Sequence, residues 1–125
     1  MRYLNRFGSS VMTVEEITQK IREFRDERDW AQFHNPKDMA EAICIEAAEL
    51  LEHFLWKRPD VTTETALAHK EGVADEIADI AIFLFELADN LNINLIQAMD
   101  RKLNKNALKY PVSKSKGKSL KYTDL

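Results

Sequence analysis

A chain of 125 residues has room for one domain with a modest core. Hydrophobic residues at 45%, charged residues at 31%, and only three glycines and three prolines mark a folded helical protein. That profile excludes a disordered or collagen-like chain. The net charge of −3 hides an asymmetry: residues 101–121 carry eight Lys/Arg and no acid, whereas all but one of the 21 acids precede them.

An acidic body with a basic tail suits a site where a metal and an anion meet, and also suits a plain solvated tail. The acidic body would repel a long polyanion, so nucleic acid is disfavoured as a partner. The single cysteine, Cys44, rules out an internal disulfide and offers no zinc pattern. Its apolar neighbours read as those of a buried structural thiol. No apolar run reaches the ~18 residues of a membrane span and no signal-peptide pattern is visible, so a cytoplasmic protein without membrane partners is expected. Residues 1–11 lack periodicity and read as a tag or upstream extension, residues 12–111 as the domain, and residues 112–125 as a basic tail.

The first helix is expected over residues 14–28, with Val14, Ile17, Ile21 and Phe24 at three-to-four spacing and Thr13 and Glu16 as a capping box. An aromatic-rich connector, Asp29-Trp30-Ala31-Gln32-Phe33-His34, follows. Asn35 as N-cap and Pro36 at the first helical position start a second helix running to about residue 56. Thr62 or Thr63 caps a third over residues 64–90, with Gly72 as a candidate break. A fourth covers residues 94–108 and ends at Tyr110-Pro111. The remaining Lys/Ser-rich tail reads as extended or mobile. No segment alternates with strand period. The fold class is therefore all-α, a bundle of four to five helices. The second and third helices are apolar on more than one face, which predicts a homo-oligomer, either a homodimer or a homotetramer.

Two carboxylate pairs interrupt the most hydrophobic segments: Glu46 with Glu49, and Glu76 with Asp79. Spacing of i, i+3 puts each pair on one helix face. Four facing acids repel and lose hydration unless a cation neutralises them. Oxygen-only ligands favour Mg²⁺, or Mn²⁺, over iron or zinc. A di-iron centre wants Glu-x-x-His, and His34, His53 and His69 follow Ala31, Leu50 and Ala66. Glu41 and Glu52 read as surface charges, as do Glu86 and Asp89 near the polar end of their helix. Glu52 and Asp75 are also auxiliary candidates at the metal.

The pattern Glu46-x-x-Glu49, spacer, Glu76-x-x-Asp79 resembles the metal motif of the MazG-like all-α nucleotide pyrophosphohydrolases. Phe24-Arg25-Asp26-Glu27-Arg28-Asp29-Trp30-Ala31-Gln32-Phe33-His34 and Phe54-Leu55-Trp56-Lys57 extend the likeness. So do Lys102-x-x-x-Asn106-x-x-Lys109-Tyr110-Pro111 and Lys121-Tyr122-Thr123-Asp124-Leu125. Together these words resemble the short dCTP-pyrophosphatase branch over about residues 14–125. The resemblance implies cleavage of a nucleoside triphosphate between its α and β phosphates, releasing the monophosphate and pyrophosphate, as in house-cleaning of the nucleotide pool. dCTP or a related or modified pyrimidine deoxynucleotide is the implied substrate, with dUTP or phosphoribosyl-ATP as alternatives. A non-enzymatic helical oligomerisation or nucleic-acid-binding module is the remaining one. Mg²⁺ held by Glu46, Glu49, Glu76 and Asp79 would neutralise phosphate charge and activate water. One of these carboxylates, or a neighbouring one, would accept the water's proton. Lys102, Asn106 and Lys109, with Tyr110 beside them, are implied phosphate contacts; they share a helix side and offer donors to anionic oxygens. By the same resemblance Trp30, His34 and Trp56 form a base pocket. Phe83 replaces the tyrosine of this branch and removes one polar contact near the sugar. Lys109 replaces an arginine, trading a bidentate fork for a point charge.

Overall fold

The computed structural model describes residues 10–125, so the expectation for residues 1–11 falls almost wholly outside it. Among the described residues there are six α-helices and no strand. The chain divides into two compact units, one ending at Leu91 and the other comprising Asn92–Leu125.

In the first unit, α1 spans Val14–Asp26. Its capping box is complete: Glu16 N donates to Thr13 Oγ1 at 3.1 Å, and Thr13 N donates to Glu16 Oε2 at 2.8 Å. The helix stops short of Arg28 as the chain turns through Asp29, whose φ is 55°. Asn35 Oδ1 accepts from Asp38 N at 3.0 Å and opens α2, Pro36–Glu52. This helix ends a turn before Trp56, which has a left-handed φ of 60°, rather than running through it.

The expected third helix is two helices, α3 (Thr62–Ala68) and α4 (Lys70–Asn90). Neither Thr62 nor Thr63 is the N-cap: Val61 holds that position, and Thr62 Oγ1 donates back to Pro59 O at 2.9 Å. The break falls at His69 (φ −117°, ψ 36°) rather than at Gly72, which lies inside α4. Gly72 serves packing instead, because a Cβ there would sit 3.0 Å from His53 Cε1.

The most extensive helix contact in this unit is α2 along α4, and α1 also packs on α4. Ile21, Met39 and Ala88 are the buried hydrophobic residues among those described. The α1–α4 contact is fastened by charge. Arg22 Nε donates to Asp89 Oδ2 at 2.7 Å, with a second bond from Arg22 to Asp89 Oδ1. Asp89 is therefore an interhelical anchor and not the surface charge its position suggested. The Arg22 guanidinium holds the Asp89 carboxyl below the usual carboxylate range. A lowered native pKa means that this stabilisation is complete above about pH 4 and is lost as the pH falls through the native value. Asp89→Ala is expected to lower unfolding stability at neutral pH through loss of the α1–α4 ion pair, while Glu15 and Gln19 still bond the Arg22 guanidinium. In urea titrations the gap from the parent should narrow below about pH 4.

In the second unit, α5 spans Leu95–Lys109 and starts where Asn94 Oδ1 accepts from Gln97 N at 3.0 Å. Tyr110 ends it. The tail is partly helical rather than extended: α6 covers Val112–Ser115 and a 3₁₀ turn covers Tyr122–Asp124. Tyr122 returns to the end of α5, its ring edge-on to Tyr110 at 6.0 Å between centroids and 4.9 Å from Lys109 Nζ. These aromatic and cation–π contacts are what a reading of the tail by composition could not register.

Candidate metal centre and adjoining cavity

Glu46, Glu49 and His53 share one face of α2 by their spacing, and Glu76, Asp79, Phe83 and Glu86 share one face of α4. Packing of α2 along α4 brings the acidic parts of these faces together. One carboxylate oxygen from each of Glu46, Glu49 and Glu76 lies within 4.8 Å of the other two. Asp79 is one turn further along α4 and acts on the cluster through its charge. Burial, then the neighbouring charges of Glu49, Asp79 and Glu76, push the Glu46 carboxyl above its ordinary pKa. Burial pushes Glu76 up as well, with Glu49 and Asp79 adding to the shift and His53 opposing it. His53 Nε2 stands 3.9 Å from Glu76 Oε1.

The donor set fits a hard divalent cation. All the converging ligand atoms are carboxylate oxygens, and their mutual repulsion leaves a charge deficit for a cation to fill. Glu76 Oε2 is buried without a hydrogen-bond partner, which is costly unless another group completes it.

Next to this cluster is a cavity of about 350 Å³. Its aromatic wall consists of Phe24, Trp30, His34 and Phe83, and Ile21 and Ile82 add apolar surface. The rings form a continuous chain. Phe24 and Trp30 are edge-to-face at 5.8 Å, Trp30 and His34 are tilted at 6.1 Å, and His34 and Phe83 are edge-to-face at 6.4 Å. Asp79 lines the same cavity, linking it to the acidic cluster.

The structure thus brings Glu46, Glu49 and Glu76 together, places Asp79 beside them, and gathers Trp30, His34 and Phe83 around one cavity. Trp56 is not among the cavity's lining residues and is 93% exposed in the single chain. A bulky residue in the left-handed region is uncommon and costs backbone energy, a feature that spacing could not reveal. Lys102, Asn106, Lys109 and Tyr110 belong to the second unit.

Two expectations are corrected in the first unit. Cys44 is exposed rather than buried in the single chain, because the face of α2 that carries it is not the one that meets α4. Glu86 is 3% exposed and its Oε1 lies 2.8 Å from His34 Nδ1, so it is a buried cavity residue and not a surface charge. Its place could have been read from its position seven residues after Asp79, two turns along the same face. Arg25, 3.6 Å from Glu86, gave no such signal. Glu41 and Glu52 are exposed, as their positions implied.

The family model described as MazG-like matches residues 42–125, a segment that includes both carboxylate pairs. The chain belongs to the MazG-like family. Among curated proteins it is similar to dCTP pyrophosphatase 1 of Bos taurus, 40% identical over 119 residues, spanning 94% of this chain and 70% of that protein. dCTP pyrophosphatase 1 of Homo sapiens is 35% identical over 115 residues, spanning 90% of this chain and 68% of that protein. Among solved structures, a pyrophosphatase from Archaeoglobus fulgidus is 42% identical and superposes with a TM-score of 0.76, covering 89% of this chain and 98% of that one.

Proposed function

We propose that this MazG-like enzyme is a nucleoside triphosphate pyrophosphohydrolase acting on dCTP or a related pyrimidine deoxynucleotide, with Mg²⁺ or Mn²⁺ as the cofactor. The observation that carries the reading is the convergence of Glu46, Glu49 and Glu76 next to an aromatic cavity that shares Asp79. Acids alone would repel a triphosphate, and an aromatic slot alone would bind any flat ring. Side by side they suit a molecule with a polyanionic end and a planar end. The curated relatives named for dCTP supply the choice of base.

A divalent cation held by Glu46, Glu49, Glu76 and Asp79 supplies neutralisation of phosphate charge and activation of the attacking water. The chain's own groups do the rest. One of these carboxylates, through an oxygen left free by the cation, or a neighbouring carboxylate would take the proton from the water. Trp30 and Phe83 present ring surface on which a base can stack, and apolar walls exclude water from it. Phe83 offers no hydroxyl to the sugar. Lys102, Asn106 and Lys109 are proposed for the terminal phosphates because they share one side of α5 and carry donors for anionic oxygens. Tyr110 and Trp56 complete the proposed substrate contacts.

Incubation of the purified protein with each dNTP and NTP tests this reading. dCTP is expected to yield dCMP and pyrophosphate, with no inorganic phosphate, only when Mg²⁺ or Mn²⁺ is present. A different base at the head of the ranking, or phosphoribosyl-ATP as the preferred substrate, would reassign the pocket. Absence of any release would remove the reaction.

We also propose a homodimer or homotetramer. Ile45, Leu51, Leu55, Leu67 and Ile77 are all exposed in the single chain, and apolar surface of this kind marks association. Light scattering on the eluting protein is expected to return a multiple of 14.5 kDa. No helix among the described residues is long and apolar enough to cross a membrane.

A further inference from the structure

Glu86 is the most enclosed acid among the described residues, at 3% exposure, yet it lines the cavity proposed for the base. A buried carboxylate in an aromatic setting is costly without partners. It has two, both through Oε1: His34 Nδ1 at 2.8 Å and Arg25 Nη1 at 3.6 Å. Arg25 is itself held by Asn90 Oδ1 at 2.9 Å and by Asp26 Oδ1 at 2.7 Å. The acid is thus anchored from α1 and from the connector that follows it, and its oxygen is aimed at one particular nitrogen of one particular ring.

We propose that Glu86 is a base-selecting positioning residue: it fixes the hydrogen of His34 on Nδ1 and so presents Nε2 to the cavity as a hydrogen-bond acceptor. The chemistry follows from the inventory of donors. A carboxylate flanked by an arginine accepts, so the His34 nitrogen facing it must donate. In a neutral imidazole the other nitrogen then carries a lone pair and accepts. His34 Nε2 has no protein partner among the described residues, and the ring lines the cavity between Trp30 and Phe83. A lone pair at that place is satisfied by an N–H donor. Of the pyrimidine bases, cytosine carries an amino group at the ring position where uracil and thymine carry a carbonyl. An amino group bonds to Nε2, whereas a carbonyl opposes it lone pair to lone pair. Discrimination by an unsatisfied polar pair is stronger than discrimination by size alone. The other charged groups lining the cavity, Lys20 and Arg25 on α1 and Asp79 on α4, are not bonded to the His34 ring.

This inference rests on the proposed reaction, and its test separates the two. The wild-type protein is studied by ¹⁵N-resolved NMR at about pH 8, above the ordinary histidine range, with His34 assigned by its loss in His34→Gln. The His34 hydrogen is expected on Nδ1. The ratio of kcat/KM for dCTP over dUTP is then measured for the parent and for Glu86→Gln, whose amide can donate to Nδ1 and release the tautomer. The ratio is expected to fall roughly ten-fold, the worth of one well-made hydrogen bond to the base. That fall should appear mainly in KM for dCTP. A wild-type ring with its hydrogen on Nε2 overturns the proposal whether or not Glu86→Gln folds. So does an unchanged ratio in a folded Glu86→Gln that still releases pyrophosphate. Absence of pyrophosphate release by the wild type from every nucleotide removes the reaction itself, and the base selection with it.

Discussion

Glu49→Gln and Asp79→Asn are each expected to reduce turnover of the preferred nucleotide by roughly 10³-fold, about 4 kcal/mol of transition-state stabilisation, while the helical fold stays intact. Glu49 contributes an oxygen to the three-carboxylate cluster, and Asp79 stands where that cluster and the aromatic cavity meet. A neutral amide in either place keeps the shape but weakens the hold on a cation. The same exchange removes a negative neighbour that raises both Glu46 and Glu76. Without divalent metal the variants should therefore melt at or above the parent's temperature, even as they lose activity. Steady-state kinetics beside thermal melts in EDTA check both halves. Full turnover in either variant would take that residue out of the site.

The second large effect is on stability through metal and pH together. The native pKa values of Glu46 and Glu76 lie above their ordinary values. A carboxyl of this kind binds its proton more tightly when folded. Its unfavourable contribution is therefore absent at low pH and grows as the pH rises from the ordinary carboxylate range, near about 4.3, through the raised native value. This is opposite in sign to Asp89, whose stabilisation is gained over the rise toward neutrality. Metal-free protein at neutral pH carries the full repulsion, and a bound divalent cation removes it. At a metal concentration of about 100 times the dissociation constant, mass action adds about 2.7 kcal/mol, or roughly 8–10 °C in melting temperature for a domain of this size. Addition of Mg²⁺ should raise the melting temperature at neutral pH and have less effect near pH 4, where the raised pKa values of Glu46 and Glu76 favour their protonated forms. A melting temperature indifferent to Mg²⁺, Mn²⁺ and EDTA at neutral pH would count against the metal centre.

Much of the first unit could be read before any coordinates. The caps at Thr13 and Asn35 are local devices, formed between residues three positions apart, and local chemistry is what a sequence displays most openly. The i, i+3 carboxylate pairs belong to the same class. The misread places all depend on contacts made across the chain. Gly72 looked like a helix break but accommodates the His53 ring. The tail looked extended, but Tyr122 packs on Tyr110 and Lys109. Glu86 and Asp89 looked like exposed charges at a helix end until α1 supplied Arg25 and Arg22.

The sequence by itself therefore determined the all-helical class, the starts of α1 and α2 and the pairing of acids on two helix faces, because periodicity and capping act within a few residues. The tertiary structure alone decided that the two faces meet with three carboxylates within 4.8 Å. It also decided that four rings from three segments line one cavity, and that Glu86 lies buried against His34 rather than in water. Helix packing sets those distances, and packing depends on how side chains far apart in the chain fill one another's space.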